Sequence, residues 1–183
     1  MSILCSESSA SPITVNAQDT VRSSVVMSND FDFLIGKWKI TNKILRQRLS
    51  GNNEWSEWVA YSHCWKILDG FGNMDEFEMK SREGRIFKGN TIRTYSPSRK
   101  EWTLYWVDSW NPDLGITEQT KGSFKDGVGL FYGQEEFNGK TVKLRFTWKS
   151  LDENRAYWDQ AYYDEENGKW EINWIMSFDR INE

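Results

Sequence analysis

His63 and Asp108 are the strongest candidates for acid–base chemistry in this sequence. His63 is the only histidine, and Asp108 ends a Trp-rich segment, WTLYWVD. An imidazole and a carboxylate could together move a proton on a bound molecule. Each residue also has a structural interpretation: Asp108 could cap the turn at SWNPD or accept an indole N–H, and His63 could be a structural or exposed strand residue. Both assignments stay open at the level of sequence.

No common catalytic or metal-binding motif surrounds these two residues. The sequence lacks a Gly-x-Ser-x-Gly elbow, a Walker-type loop and a dinucleotide fingerprint, and a lone His without a second ligand makes no metal site. The glycine segments GFGNMDE and GVGLFYG lack a following helix that would hold a phosphate, so they predict turns. We therefore expect neither a metal ion nor a cofactor. Catalysis, if present, would be isomerisation or cyclisation of a substrate held folded and desolvated.

Composition and charge exclude several classes of protein. The chain of 183 residues fits one domain, and its net charge of −4 gives no basic stripe for nucleic acid or an anionic membrane surface. No apolar stretch is long enough to predict membrane insertion, and the N-terminus lacks a signal-peptide pattern. Cys5 and Cys64 lie far apart in different kinds of segment, so we expect no disulfide. Reduced thiols fit a cytoplasmic protein.

The first 29 residues differ from the rest of the chain. They are rich in Ser, Thr, Asn and Ala and contain no aromatic residue, whereas every Phe, Trp and Tyr follows them. A segment this polar cannot bury enough apolar surface to offset its ordering entropy. We therefore expect a disordered tail over residues 1–29 and one domain over residues 30–183. Met27 is an alternative start that the sequence leaves open.

Beyond residue 30 the sequence predicts about ten β-strands and no long helix. Runs of about 8 to 12 residues alternate in polarity between turn signals such as SGNNE, DGFGN and NPDLG. The first strand is predicted over residues 38–49 and the second over residues 55–68. Consecutive hairpins favour an all-β fold, an antiparallel up-and-down barrel of about 8–10 strands, because closure removes exposed edges. A two-sheet sandwich is the competing architecture.

The opening of the domain, FDFLIGKWKI, contains Gly36-Lys37-Trp38, which resembles the Gly-x-Trp signature of the calycins, the lipocalin and fatty-acid-binding-protein superfamily. The resemblance implies that Trp38 closes one end of the barrel beneath Arg180, through cation–π attraction and hydrogen bonds to nearby carbonyls. Residues 30–180 also resemble the bacterial DUF1579 family of lipocalin-like proteins in three stretches: this opening, YSPSRKEWTLYWVDS, and RFTWKSLDENRAYWDQAYYDEENGKWEINWIMSFDR. Related nitrobindin-like barrels would require a His near the C-terminal strands, so haem is not expected.

If Trp38 and Arg180 face inward, the two-residue period of a strand assigns a face to their neighbours, including Asn42 and Ile44. A three-residue ENG loop that pairs Glu165 with Lys169 turns Trp158 and Gln160 inward, whereas a loop one residue longer would reverse that choice. Placing the Trp-rich faces of the other strands inside gives an aromatic cavity with a few polar groups. The residues predicted to bind a ligand are Tyr61, His63, Trp65, Trp106, Asp108, Phe146, Trp148, Trp158, Gln160, Trp174 and Met176.

The aromatic content of 15%, with 11 Trp, suits either a β-rich core or a cavity lining. Our leading hypothesis is a cytoplasmic barrel that binds a small, largely apolar or aromatic molecule. The first alternative is a cofactor-independent isomerase or cyclase that uses His63 and Asp108 in the same cavity. The second is an interaction protein whose barrel is filled by its own side chains. A homodimer is a further hypothesis, based on outward projection of Trp58 and Trp110.

Overall fold

The computed structural model describes residues 27–81 and 84–182. In this part of the chain ten antiparallel strands form a closed barrel, in which each strand pairs with its sequence neighbours and the last pairs with the first. The strands are β1 (Gly36–Leu45), β2 (Trp55–Ile67), β3 (Gly72–Lys80), β4 (Ile86–Ser96), β5 (Glu101–Asp108), β6 (Thr117–Lys125), β7 (Val128–Phe137), β8 (Lys140–Ser150), β9 (Arg155–Asp164) and β10 (Lys169–Arg180). The predicted all-β up-and-down barrel is confirmed, and the sandwich alternative is wrong.

The largest difference from the predicted boundaries is at the end of β1. This strand ends at Leu45 rather than near Leu49, because residues 46–54 form a loop in which the backbone N–H of Arg46 donates to the carbonyl of Glu54 over 2.9 Å. Leu49 lies in this loop with a φ of 53°. Residues 1–26 lie outside the described part of the chain, so the disordered tail and the alternative start stay predictions.

The barrel closes through the pairing of β1 with β10, in which Trp38 lies directly opposite Arg180. The Arg180 guanidinium carbon lies 4.2 Å from the centroid of the Trp38 ring. Arg180 donates hydrogen bonds to the carbonyls of Phe33, Ile35 and Glu153 over 2.7, 2.6 and 2.8 Å, and the Trp38 indole donates to Leu34. The guanidinium thus joins the first strand, the last strand and the segment that precedes the barrel.

Gly36 is required for this close approach. Its φ is +120°, and a Cβ there would lie 2.7 Å from Nη1 of Arg180. A side chain at position 36 would therefore be strained and would press on the guanidinium that closes the barrel. This contact gives a physical reason for the glycine two residues before Trp38.

The chain before β1 folds under the same end of the barrel, which we call the closed end. A 3₁₀ helix over Asp32–Leu34 follows Phe31, whose side chain is buried. The Phe31 ring packs against aromatic rings from four strands, with centroid distances between 4.9 and 5.9 Å: Trp102, Phe124, Phe131 and Trp148. Aromatic burial on this scale makes the N-terminal segment part of the core rather than a covering loop.

We expect Arg180→Met to lower the free energy of unfolding by about 2–4 kcal/mol, because it removes three charge-assisted hydrogen bonds and a cation–π contact. Urea denaturation monitored by tryptophan fluorescence measures the loss. The matched control is Arg155→Met, since Arg155 forms an exposed ion pair with Asp152 and should cost about 1 kcal/mol or less. Equal losses in the two variants would contradict a special role for Arg180.

Candidate functional site

The barrel interior contains a cavity of about 230 Å³, and every strand contributes to its lining. Seven of the residues predicted to bind a ligand lie on this lining: Trp106, Phe146, Trp148, Trp158, Gln160, Trp174 and Met176. Trp38 and Phe178 also line it, near the closed end. The alternation on β8, β9 and β10 therefore places the expected aromatic side chains around a common space.

One side of the cavity is an aromatic wall, formed by Phe146, Trp148, Trp158, Trp174, Met176 and Phe178 of β8, β9 and β10. The Trp158 ring is at its centre, with its centroid 5.0 Å from that of Phe146 and 5.6 Å from that of Trp174. The Trp158 and Trp174 planes are nearly perpendicular, at 84°, which is a favoured arrangement of aromatic rings. The wall offers an apolar surface to an aromatic ligand.

Hydrogen bonds hold Trp174 of this wall and the adjacent Gln160 in place. The Trp174 indole N–H donates to Oδ1 of the fully buried Asn42 over 3.0 Å, and Gln160 donates to Asn173 over 2.9 Å. Asn42 therefore faces inward, as expected, and anchors an indole of the wall. Gln160 faces the cavity with its amide nitrogen bound to another residue.

The opposite side is more polar. There β2, β3 and β4 contribute what we call the polar wall, Ser62, Cys64, Asp75, Thr91 and Arg93, beside one apolar side chain, Phe77. β4 lies opposite β9 in the ring of ten strands. The register places Cys64 beside Asp75 and Asp75 beside Thr91, so these three side chains form one cross-strand row. Side chains opposite each other in adjacent strands lie close enough to act together.

A buried ion pair lies at the base of the polar wall. Arg93 Nη2 and Asp75 Oδ2 are 2.5 Å apart, and the two side chains are 2% and 9% exposed. Arg93 Nη1 also donates to Oδ1 of Asn73 over 2.9 Å. The guanidinium carbon lies 5.3 Å from the Phe31 centroid and 5.2 Å from the Trp148 centroid, so Arg93 reaches across the closed end between two rings.

Cys64 is next to this pair but has no nucleophilic character. Burial raises the pKa of its thiol to about 12, although Arg93 lowers it in part. The thiol therefore stays protonated near neutral pH, and its Sγ lies 3.8 Å from Oδ1 of Asn73. A protonated thiol is a small polarisable wall group rather than a reactive one.

The open end, where β1 and β2 are connected, contains a second charged group of residues. Arg48 of the connecting loop donates to the Tyr162 hydroxyl over 2.7 Å, and this hydroxyl donates to Oε1 of Glu135. The Arg48 guanidinium also lies over the Tyr162 ring, 5.3 Å from its centroid. Burial and the Glu135 carboxylate raise the pKa of Tyr162 far above its ordinary value, so the phenol stays protonated.

The prediction that Tyr61, His63 and Trp65 face the cavity is wrong. In the pairing of β1 with β2, Ser62 lies opposite the inward-facing Trp38 and His63 lies opposite Lys37. Residues paired in this way share a face of the sheet, so the odd-numbered positions of this part of β2 face outward. Tyr61 is 54% exposed, and His63 and Trp65 pack together outside the barrel with ring centroids 5.4 Å apart.

Asp108 also lies off the cavity lining, because its carboxylate is used by the turn that follows β5. It accepts hydrogen bonds from the Trp106 indole and from the backbone N–H groups of Trp110 and Asn111, over 2.8, 2.8 and 2.9 Å. Burial alone would raise the pKa of Asp108, but these bonds outweigh it and leave the pKa below its ordinary value. Both structural interpretations of Asp108, the turn cap and the indole acceptor, describe its actual contacts.

Outward projection of Trp58, one basis of the dimer hypothesis, is wrong. Trp58 lies opposite the buried Asn42, and its ring centroid is 6.3 Å from that of Trp174. Trp110 does project outward and is 55% exposed. Of the two residues on which the dimer hypothesis was based, only Trp110 therefore projects outward.

Comparisons with known proteins do not assign a ligand to this site. No protein-family model and no curated protein matches this chain. A redesigned β-barrel aligns with 85% of this chain and 98% of its own, at 12% identity and a TM-score of 0.46. The ywiB protein from Bacillus subtilis aligns with 80% of this chain and 91% of its own, at 13% identity and a TM-score of 0.31. Such distant likenesses do not bear on function, and the resemblance to the DUF1579 family stays a prediction.

The described residues also bear on metal binding and membrane insertion. Residues 27–81 and 84–182 contain no group of three or more His, Cys, Asp or Glu side chains that could hold a metal ion. Over the same ranges, no helix is long and apolar enough to cross a bilayer.

We expect Cys64 to resist alkylation in the folded protein. A thiol of pKa about 12 carries roughly 1,000-fold less thiolate at pH 8 than one at the ordinary value of 9.0, and burial restricts access further. The measurement is the rate of iodoacetamide labelling in a Cys5→Ser background, with and without urea. The pKa of the Cys64 thiol is higher in the folded protein than in the unfolded chain. Its titration should therefore lower the free energy of unfolding as pH rises from about 9 towards 12.

The control for this experiment places a thiol on the opposite face of the same strand. In a Cys5→Ser, Cys64→Ser background, His63→Cys should label rapidly without urea, because position 63 faces outward. Slow labelling at position 63, or rapid labelling at position 64, would contradict the assigned faces of β2.

Proposed function

We propose that this protein binds a small, largely apolar or aromatic molecule in the barrel cavity. The observation that supports the proposal is an interior space of about 230 Å³ between an aromatic wall and a polar wall. A cavity filled by the protein's own side chains would leave no such space. Pockets lined mainly by aromatic side chains with a few polar groups are typical of small-molecule sites.

The size of the cavity limits the ligand. An apolar cavity of about 150 Å³ can hold a benzene ring, so about 230 Å³ suits a molecule of one or two rings. The perpendicular indoles of Trp158 and Trp174 offer both a ring face and a ring edge to such a molecule. Long acyl chains fit this volume poorly.

Binding is better supported than catalysis. The isomerase or cyclase alternative depended on His63 and Asp108, but His63 faces outward and the Asp108 carboxylate is used by its turn. The buried Cys64 thiol is protonated, so it offers no nucleophile in their place. A free, buried thiol also suits the reducing cytoplasm, which we propose as the location of the protein.

We expect naphthalene, an apolar two-ring probe, to bind in the cavity, and Ser62→Leu to weaken this binding by at least about tenfold. Ser62 lines the cavity, so the larger side chain would occupy ligand space. Isothermal titration calorimetry measures the affinity, and native mass spectrometry of protein purified from its own host tests for a bound natural molecule. Tenfold corresponds to about 1.4 kcal/mol of binding free energy.

His63→Leu is the matched control, because it introduces the same side chain one residue away on the outer face of β2. Its affinity for naphthalene should stay within about twofold of the wild-type value. Equal effects of the two variants, or no binding of naphthalene together with no co-purified molecule, would refute the proposed function.

A further inference from the structure

The charged groups on the cavity lining balance one another. The lining contains two guanidinium groups, those of Arg48 and Arg93, and two carboxylates, those of Asp75 and Glu135. Each guanidinium is linked to one carboxylate, Arg93 directly to Asp75 and Arg48 to Glu135 through the Tyr162 hydroxyl. The formal charges of the four groups sum to zero, so the lining has no net charge for an ionised ligand to neutralise.

Arg93 is poorly placed to receive a ligand carboxylate. Its two terminal nitrogens bind Asn73 and Asp75, its Nε is buried without a hydrogen-bond partner among the described residues, and its guanidinium carbon lies 5.3 and 5.2 Å from the Phe31 and Trp148 ring centroids. An anion that approached the terminal nitrogens would also lie close to the Asp75 carboxylate, whose Oδ2 is 2.5 Å from Nη2. Separating a buried pair is costly because it leaves an uncompensated charge in a medium of low polarity.

A neutral hydroxyl group of a ligand fits well beside Asp75 and Thr91. Oδ1 of Asp75 accepts a long hydrogen bond, 3.4 Å, from the backbone N–H of Thr91, so a shorter bond from a ligand is open to it. Thr91 lines the cavity in the same cross-strand row, and its hydroxyl can donate as well as accept. A ligand hydroxyl could donate to Asp75 and accept from Thr91 at once.

The cross-strand row also brings the aromatic ring of Trp106 beside Asp75 and Thr91. Thr91 lies opposite Trp106 in the pairing of β4 with β5, and both line the cavity. Trp106 packs closely against Gly89, where a Cβ would come within 2.3 Å of its ring. A ligand hydroxyl held at Asp75 and Thr91 would therefore have an indole next to the ring that carries it.

We infer that the cavity selects a neutral aromatic molecule with a hydroxyl group, a phenol-like ligand, over an ionised carboxylate of the same shape. The inference rests on the proposed function and specifies its ligand class. The hydroxyl donates to Asp75 and accepts from Thr91, and the ring packs between Trp106 and the aromatic wall.

Three probes of matched shape test the inference on the wild-type protein by isothermal titration calorimetry at pH 7. We expect 2-naphthol, which is neutral at this pH, to bind about 3- to 10-fold more tightly than naphthalene, because it adds hydrogen bonds to the polar wall. We expect 2-naphthoate to bind at least about tenfold more weakly than naphthalene, since its charge is desolvated without a partner.

Two variants locate the polar contact. Thr91→Val keeps the shape of the side chain and removes its hydroxyl, so the preference for 2-naphthol over naphthalene should fall about two- to fivefold with naphthalene affinity unchanged. Asp75→Asn leaves the Arg93 charge without a counter-ion, so the affinity for 2-naphthoate should rise at least about tenfold relative to naphthalene. Glu76→Gln is the control, because Glu76 is the next residue on β3 and its carboxylate pairs with Lys88 on the outer face.

The outcomes separate this inference from the proposed function. Equal binding of 2-naphthol and 2-naphthoate, or equal binding of 2-naphthol and naphthalene, would overturn the hydroxyl assignment while the cavity remains a binding site. Binding of none of the three probes would count against the proposed function itself. If Asp75→Asn does not fold, as judged by circular dichroism, the wild-type probe series and Thr91→Val decide the inference.

Discussion

The pairing of β1 with β10 closes the barrel and determines which sides of these two strands face the interior. Trp38 lies opposite Arg180 in this pairing, and the stacked guanidinium binds three carbonyls at the closed end. Because side chains alternate along a strand, a shift of one residue at this seam would exchange the inner and outer faces of β1 or β10. The contact that closes the barrel thus also turns Asn42, Trp174 and Met176 towards the interior.

Stability alone does not account for the buried Asp75–Arg93 pair. Burying two charges costs several kcal/mol per ion, and a well-packed apolar pair of similar volume is often at least as stable. Here the cost is partly offset by the 2.5 Å contact between the side chains, by Asn73, and by two aromatic rings over the guanidinium. What the pair adds is a fixed carboxylate oxygen on the polar wall, which under the proposed function would orient a ligand.

Sequence patterns predicted the barrel and much of the aromatic wall, because consecutive hairpins and large side chains leave local signals on β8, β9 and β10. They failed on β2, where Tyr61 and Trp65 looked like interior residues by type. The face of β2 depends on its register with β1, a long-range property: Ser62 lies opposite Trp38, so the smaller side chains face inward. Asp75 shares the face of Phe77 on β3, which was a usable signal, but nothing local marks Arg93 as buried.

Irregular pairing explains another part of the site that a strict two-residue period misses. The register shifts between Leu104 and Tyr105 in the pairing of β5 with β6, and Leu104, Tyr105 and Trp106 all line the cavity. A second shift, between Ile172 and Trp174 of β10, accompanies the full burial of Asn173, which accepts the Gln160 hydrogen bond. Bulges redirect side chains and increase local twist, and they are frequent beside functional sites. The predicted pairing of Glu165 with Lys169 is wrong, because Lys169 pairs with Asp164. The extra residue Asn173 nevertheless restores the inward direction of Trp158 and Gln160, which the longer loop alone would reverse.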